Sequence, residues 1–124
     1  MRIQSIHTVL LLFLCSFVIL CSCKRDGTDI FRNEKGIVVR EYSFKNGKMH
    51  GPYKLYFEDG RLCQIRYYKH GILDSLWLVF TKDSILVNRI RLKNGLKHGL
   101  TEDFYANGNW SRTSEWRNGS RQGE

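Results

Sequence analysis

Cysteine and proline are nearly missing from most of this chain. Of its four cysteines, Cys15, Cys21 and Cys23 fall in or at the end of an apolar N-terminal stretch, so only Cys63 remains beyond it. One thiol closes no internal disulfide and builds no CxxC metal site, which leaves packing and strand pairing to hold the rest together. The single proline, Pro52, follows a Gly51 turn at an expected strand start, where a missing N–H is tolerated. After Asp26 no apolar stripe recurs at helical spacing, which excludes an amphipathic helix. No Gly-rich loop opens a helix, so a nucleotide-phosphate cradle is excluded as well. No catalytic triad or three-ligand zinc set can be assembled. The chain reads as a non-enzyme without cofactor or metal.

A length of 124 residues is that of about one domain. Removing Met1 to Ser22, whose only charged residue is Arg2, leaves 19 Lys and Arg against 12 Asp and Glu, a balance of +7. Fourteen of the 16 aromatic residues lie after Ser22, too many for a disordered tail.

The chain is organised by a turn that returns every 24 positions: Lys45-Asn46-Gly47, Lys69-His70-Gly71, Lys93-Asn94-Gly95 and Arg117-Asn118-Gly119. A second small residue follows each glycine four places later, at Gly51, Ser75, Gly99 and Gly123. Halfway between lie Lys35-Gly36, Asp59-Gly60, Asp83-Ser84 and Asn107-Gly108. Such spacing writes an array of β-hairpins. The expected arms are 37–45, 52–58, 61–69, 76–82, 85–93, 100–106 and 109–117, seven strands in an all-β, elongated and twisted antiparallel meander. The last arm is left as an edge, guarded by Arg112, Glu115 and Arg117.

Columns read at the repeat spacing assign roles. Val38, Leu62, Leu86 and Trp110 form one, and Phe44, Tyr68, Leu92 and Trp116 another; six positions apart, both are expected on one side of a strand. Between them runs the polar row Arg40, Gln64, Asn88 and Arg112. The alternate arms carry Tyr56, Phe80 and Phe104, supported by Tyr53 and Trp77.

Upstream, Thr8 to Leu20 is an uncharged run of 13 residues, the length of a signal-peptide core and short for a membrane span. Leu20-Cys21-Ser22-Cys23 resembles a bacterial lipoprotein box, with Cys21 where Ala, Ser or Val is commoner. The resemblance implies a signal helix over 1–22, cleavage after Ser22, and Cys23 as the acylated (palmitate-bearing) N-terminus. An uncleaved transmembrane anchor is the alternative, because no charge occurs from Ile3 to Cys23. Either places the rest on a membrane outside the cytoplasm, at the cell or outer membrane; Lys24 stands where an inner-membrane-retaining aspartate would. Residues 23–34 then read as lipidated N-terminus and polar tether, and 35–124 as the repeat array.

The pattern of [Lys/Arg]-Asn-Gly, glycine four places on, spaced aromatics and a further glycine resembles the MORN repeat, in the bacterial variant often labelled an antitoxin component. It is clearest from Lys45 to Gly60, and departs at Ser75, Ser84 and Thr101. The resemblance implies an elongated sheet that binds proteins or membranes rather than catalysing. Two functions are expected from it: a membrane-anchored binding or scaffold module, or an antitoxin or immunity-like protein that neutralises a partner toxin.

Candidate chemistry has bland readings beside it. Cys63 shares a column with Val39, Val87 and Ser111, which fits a packed small side chain. His50, Asp74 and His98 share a loop column with Gln122, too few converging ligands for zinc. His70 replaces Asn46 and Asn94 at a turn position that wants positive φ. The basic residues Arg66, Arg89, Arg91, Lys93 and Arg112, with Lys97, are the expected binding stripe for a protein partner or an anionic lipid or glycan surface. Nucleic acid is not expected of a chain exported before it folds.

Overall fold

The computed structural model describes residues 25–123, so the expected signal helix and Cys23 lie outside the described residues. Nine strands form one open antiparallel sheet in strict sequential order. They are β1 (Gly27–Arg32), β2 (Val38–Lys45), β3 (Lys48–Tyr56), β4 (Leu62–Lys69), β5 (Ile72–Phe80), β6 (Leu86–Lys93), β7 (Leu96–Phe104), β8 (Trp110–Arg117) and β9 (Ser120–Gln122). No helix occurs among the described residues. Among the described residues only Ile90, Leu92 and Thr101 are buried. A single layer has no second element to close over either face, and nearly every side chain keeps some contact with solvent.

Two kinds of turn alternate. Asn46-Gly47, His70-Gly71, Asn94-Gly95 and Asn118-Gly119 have positive φ at both residues, between 50° and 85°, the requirement of a two-residue type I′ hairpin. Loops of the second kind close a wider ring. The N–H of Phe57 donates to the Arg61 carbonyl at 2.7 Å and that of Gly60 to the Phe57 carbonyl at 2.9 Å. Side-chain oxygens brace these loops, as when Asn33 Oδ1 accepts the N–H groups of Lys35 and Ile37.

The sheet has nine strands where seven were expected, and the extra two are short edges. The supposed tether contains β1, which pairs with β2 from Gly27↔Phe44 to Arg32↔Val38. Its polarity concealed it, because an edge strand of a one-layer sheet need bury little. At the other end β9 pairs Ser120 to Gln122 with Glu115 to Arg117, so part of the expected free edge on β8 is covered.

Two irregularities correct the expected faces. The arms after each type I′ turn begin about four residues earlier than expected, because Gly51, Ser75 and Gly99 are not loops. They sit inside β3, β5 and β7 at positive φ, where the register slips, as between Phe44↔Met49 and Tyr42↔Tyr53. Pro52 lies in that slip and so breaks no ladder with β2. The second irregularity is a bulge. Leu55 pairs with Gln64 but Tyr56 with Leu62, leaving Cys63 as the extra residue; Val39, Val87 and Ser111 occupy the same place in β2, β6 and β8. The bulge turns Leu62 towards Tyr56, so Val38, Leu62, Leu86 and Trp110 share the face opposite to Tyr68 and Trp116. The indole N–H of Trp110 donates to Thr113 Oγ1 at 3.0 Å, a contact across three positions that an unbulged strand would forbid.

Candidate binding face

One face carries an aromatic row that crosses strands. The pairs Tyr42↔Tyr53 and Tyr53↔Arg66 hold successive members opposite one another. Phe31 and Tyr42 stack with centroids 5.6 Å apart, Tyr42 and Tyr53 at 5.4 Å, and Tyr53 meets Tyr68 at 6.0 Å. Planar cations lie on this row. The Arg40 guanidinium stands 4.2 Å from the Phe31 centroid, and Arg66 lies 4.7 Å from that of Trp77. Gln64 fixes the second pair, its Oε1 accepting from Arg66 at 2.8 Å and from the Trp77 indole at 3.2 Å. Further along the face, Asp103 accepts from Asn88 at 2.7 Å and from Arg112 at 2.7 Å. Burial pushes the Asp103 carboxyl up, but these donors and the Arg112 charge outweigh it and hold it below the usual carboxylate range. Within the polar row, Arg40 and Gln64 thus meet the aromatics or their cations, while Asn88 and Arg112 converge on Asp103.

The opposite face is laced by ion pairs. Lys54 meets Glu41 at 3.2 Å and Arg89 meets Glu102 at 3.1 Å. Tyr56 donates to Glu41 at 3.1 Å, and its phenol is pushed up first by burial and then by the Glu41 charge.

The expected basic stripe is divided. Register places Arg66 and Arg112 on the aromatic face, while Arg89, Arg91 and Lys93 stand on the other. Of the five, Arg66, Arg89 and Arg112 already have protein partners. Lys97, from the same stripe, rests on Trp116, 4.4 Å from its centroid. Cys63 is a half-buried free thiol in its bulge.

The column expected in loops lies instead within β3, β5 and β7, because those strands begin right after the type I′ turns, and it has a structural task. His50 Nδ1 accepts the N–H of His70 at 3.4 Å, Asp74 Oδ1 that of Asn94 at 3.3 Å, and His98 Nδ1 that of Asn118 at 3.4 Å. The Asp26 carboxylate does the same for Asn46. Beside each, the turn glycine donates to a carbonyl of the preceding hairpin: Gly47 to Arg25, Gly71 to Met49, Gly95 to Leu73 and Gly119 to Lys97, at 2.7–2.9 Å. These outward N–H groups are left over by a type I′ turn, and the neighbouring hairpin satisfies them.

Sequence reasoning missed Phe31 and Asp26 as working residues, since both fell in the supposed tether. The signal was present: Asp26-Gly27 stands 24 positions before His50-Gly51. No family model, curated protein or solved structure matches this chain.

Proposed function

We propose that the chain is a lipoprotein, acylated at Cys23 and held outside the cytoplasm, whose sheet is a non-catalytic binding and scaffolding module built of 24-residue MORN-type units. The observation that carries this reading is the aromatic–arginine row. Phe31, Tyr42, Tyr53 and Trp77 are bracketed by Arg40 and Arg66 on a face that no other described element covers. Aromatic and arginine side chains held in place give up little conformational freedom on contact, which is what makes them effective anchors at protein interfaces. Fixed guanidinium planes select carboxylates, so the partner is a protein with an acidic patch.

Capture from membranes of the native host after crosslinking tests the reading, with wild type beside an Arg40→Ala/Arg66→Ala variant. The expected result is one or more acidic proteins recovered by wild type and lost by the variant. Recovery of the same proteins by both would sink the binding-face assignment. A single partner held one-to-one and toxic when expressed alone would replace the scaffold with the neutralising reading. Intact mass of the membrane-extracted protein beside Cys23→Ala tests the anchor: acyl mass that the variant lacks is expected.

A further inference from the structure

The two ends of the sheet each carry half of one strand. A positive-φ residue divides β3, β5 and β7, as Gly51 divides β3 into Lys48–His50 and Pro52–Tyr56. The register of β1 on β2, Gly27↔Phe44 to Arg32↔Val38, is that of Gly51↔Tyr68 to Tyr56↔Leu62 in β3 and β4, so β1 is the second half of such a strand. At the other end, β9 pairs Trp116↔Arg121 and Arg117↔Ser120 as β5 begins on β4 with Tyr68↔Leu73 and Lys69↔Ile72, so β9 is the first half. Among the described residues nothing lies on the outer side of β1, and β9 covers β8 only at Glu115 to Arg117, leaving Arg112 to Ser114 with one open side. Apolar side chains stand at both open places: Ile30 is 54% exposed and Trp110 61%. The charges expected to guard β8 do not, since Arg112 is bound to Asp103 on its own sheet and Glu115 and Arg117 are paired with β9.

We propose that the chain assembles head to tail, the outer edge of β1 in a second copy pairing with the open side of β8, so that Ser120–Gln122 of one copy and Gly27–Arg32 of the next complete one strand of a continuous sheet. A strand edge with free N–H and C=O groups is a ready template for such pairing. The register follows from the hairpin β2–β3, where Arg40, Glu41 and Tyr42 face Leu55, Lys54 and Tyr53. Moved along by the repeat spacing, Arg112, Thr113 and Ser114 face Phe31, Ile30 and Asp29 of the second copy. Each pair is complementary. Arg112 would stand over Phe31 from one side as Arg40 does from the other, where it lies 4.2 Å from the ring centroid. Ile30 would cover the Trp110 indole, which lies along β8 with its N–H on Thr113. The Ser114 hydroxyl would donate to the Asp29 carboxylate. One exchange is required: Arg121 and Gln122 take the places beside the Asn46-Gly47 turn of the second copy that Arg25 and Asp26 otherwise hold. The exchange is even, since the Arg121 carbonyl and the Gln122 side-chain oxygen accept the same two N–H groups. The contact joins unlike surfaces, and a sheet that only twists does not bring its ends together, so copies add in series and set their binding faces side by side. It forms whether or not Cys23 is acylated.

Disulfide trapping of the full chain in mild detergent tests it. Residues that face each other across an antiparallel pair have Cα atoms about 4.5–5.5 Å apart, within reach of a disulfide. Ile30→Cys and Thr113→Cys proteins, each also carrying Cys63→Ser, are mixed and oxidised, and linked peptides are mapped by mass spectrometry. A link between positions 30 and 113 is expected in the mixture, and a chain carrying both new cysteines should give a ladder of oligomers on a non-reducing gel. Leu100→Cys, exposed on β7 and about 9–10 Å or more from Ile30 of the second copy, should give no link, because a disulfide spans Cα atoms no more than about 7 Å apart. Absence of the 30–113 link would overturn the proposal. So would a 30–30 link of equal strength in the Ile30→Cys protein alone, the mark of two β1 edges paired about a two-fold axis. Mapping by position separates these links from any made by the N-terminal cysteines, so loss of the anchor at Cys23 and loss of the assembly are read independently.

Discussion

Asp74 reaches across 20 positions to accept the backbone N–H of Asn94 at 3.3 Å. Beside it the Leu73 carbonyl takes the N–H of Gly95 at 2.7 Å, so both outward donors of one turn are held by the hairpin before it. A one-layer sheet lacks a core to fix the relative positions of its hairpins, and this lateral stitching along one rim does part of that task.

Removing the stitch should therefore weaken the whole sheet. Asp74→Ala is expected to cost about 1 kcal/mol, the net worth of one such hydrogen bond. In a domain of this size that lowers Tm by about 4–8 °C. Asp74→His should recover much of the loss, since His50 and His98 perform the same contact elsewhere. Thermal melts of the three proteins check this; an unchanged Asp74→Ala melt would show that the contact contributes nothing.

The wide loops offer a second contrast. Gly36 and Gly60 both have positive φ, near 78° and 84°, and alanine at either should cost about 1–2 kcal/mol in backbone strain. A Cβ at Gly60 would also stand 2.9 Å from Ile37 Cγ2, whereas at Gly36 nothing lies within 4 Å. Gly60→Ala should thus be the more damaging, and Ile37→Leu, which lacks the Cγ2 methyl that meets the new Cβ, should narrow the gap. Urea midpoints of the four variants decide it; equal losses at both glycines would remove the clash from the account.

Much of this architecture could be read in the residues, and the errors have definite causes. Asn46-Gly47 and its counterparts announce a two-residue hairpin, because few residue pairs other than Asn-Gly tolerate positive φ twice. Strict alternation carried through Cys63 puts Leu62 on the wrong face, and a bulge residue is invisible until the pairing partner Tyr56 is known. The β1 strand was missed because Gly27–Arg32 has no alternating pattern, and an edge strand buried so little needs none. For the candidate site, Arg66 and Arg112 could be seen as surface cations. Gln64 lies two positions along the same strand as Arg66, whereas Asp103 stands opposite Arg112 on the neighbouring strand, a partner that only the register reveals.

Asp103 gives the fold a pH dependence of known sign. Its pKa in the folded chain lies below the ordinary carboxylate value, so the unfolded chain binds the extra proton as pH falls. The stabilisation is present above about pH 4, the unfolded-state value, and is lost as pH falls through the folded one. Asp103→Asn should lower stability at neutral pH and flatten the decline below about pH 4. Urea unfolding across that range checks it; an acid limb as steep in the variant as in wild type would assign the decline to other carboxylates.

Thr101, like Arg40 and Trp116, buries a side-chain polar atom that has no partner among the described residues. Only 7% of it is exposed, and its Oγ1 is buried without a hydrogen-bond partner. Its column holds Tyr53 and Trp77, and its pairing partners are Ile90 and Ser114. A buried hydroxyl that bonds to nothing costs about 1–3 kcal/mol in lost hydration, whereas valine offers the same branched shape without that cost. Thr101→Val is therefore expected to stabilise the chain by about 1 kcal/mol. Thr101→Ser, which keeps the hydroxyl and deletes the methyl, should destabilise it, and both should leave the urea m-value unchanged. If valine proved destabilising, the hydroxyl would have to be bound in solution, with a water inside the sheet surface at Thr101 as its partner.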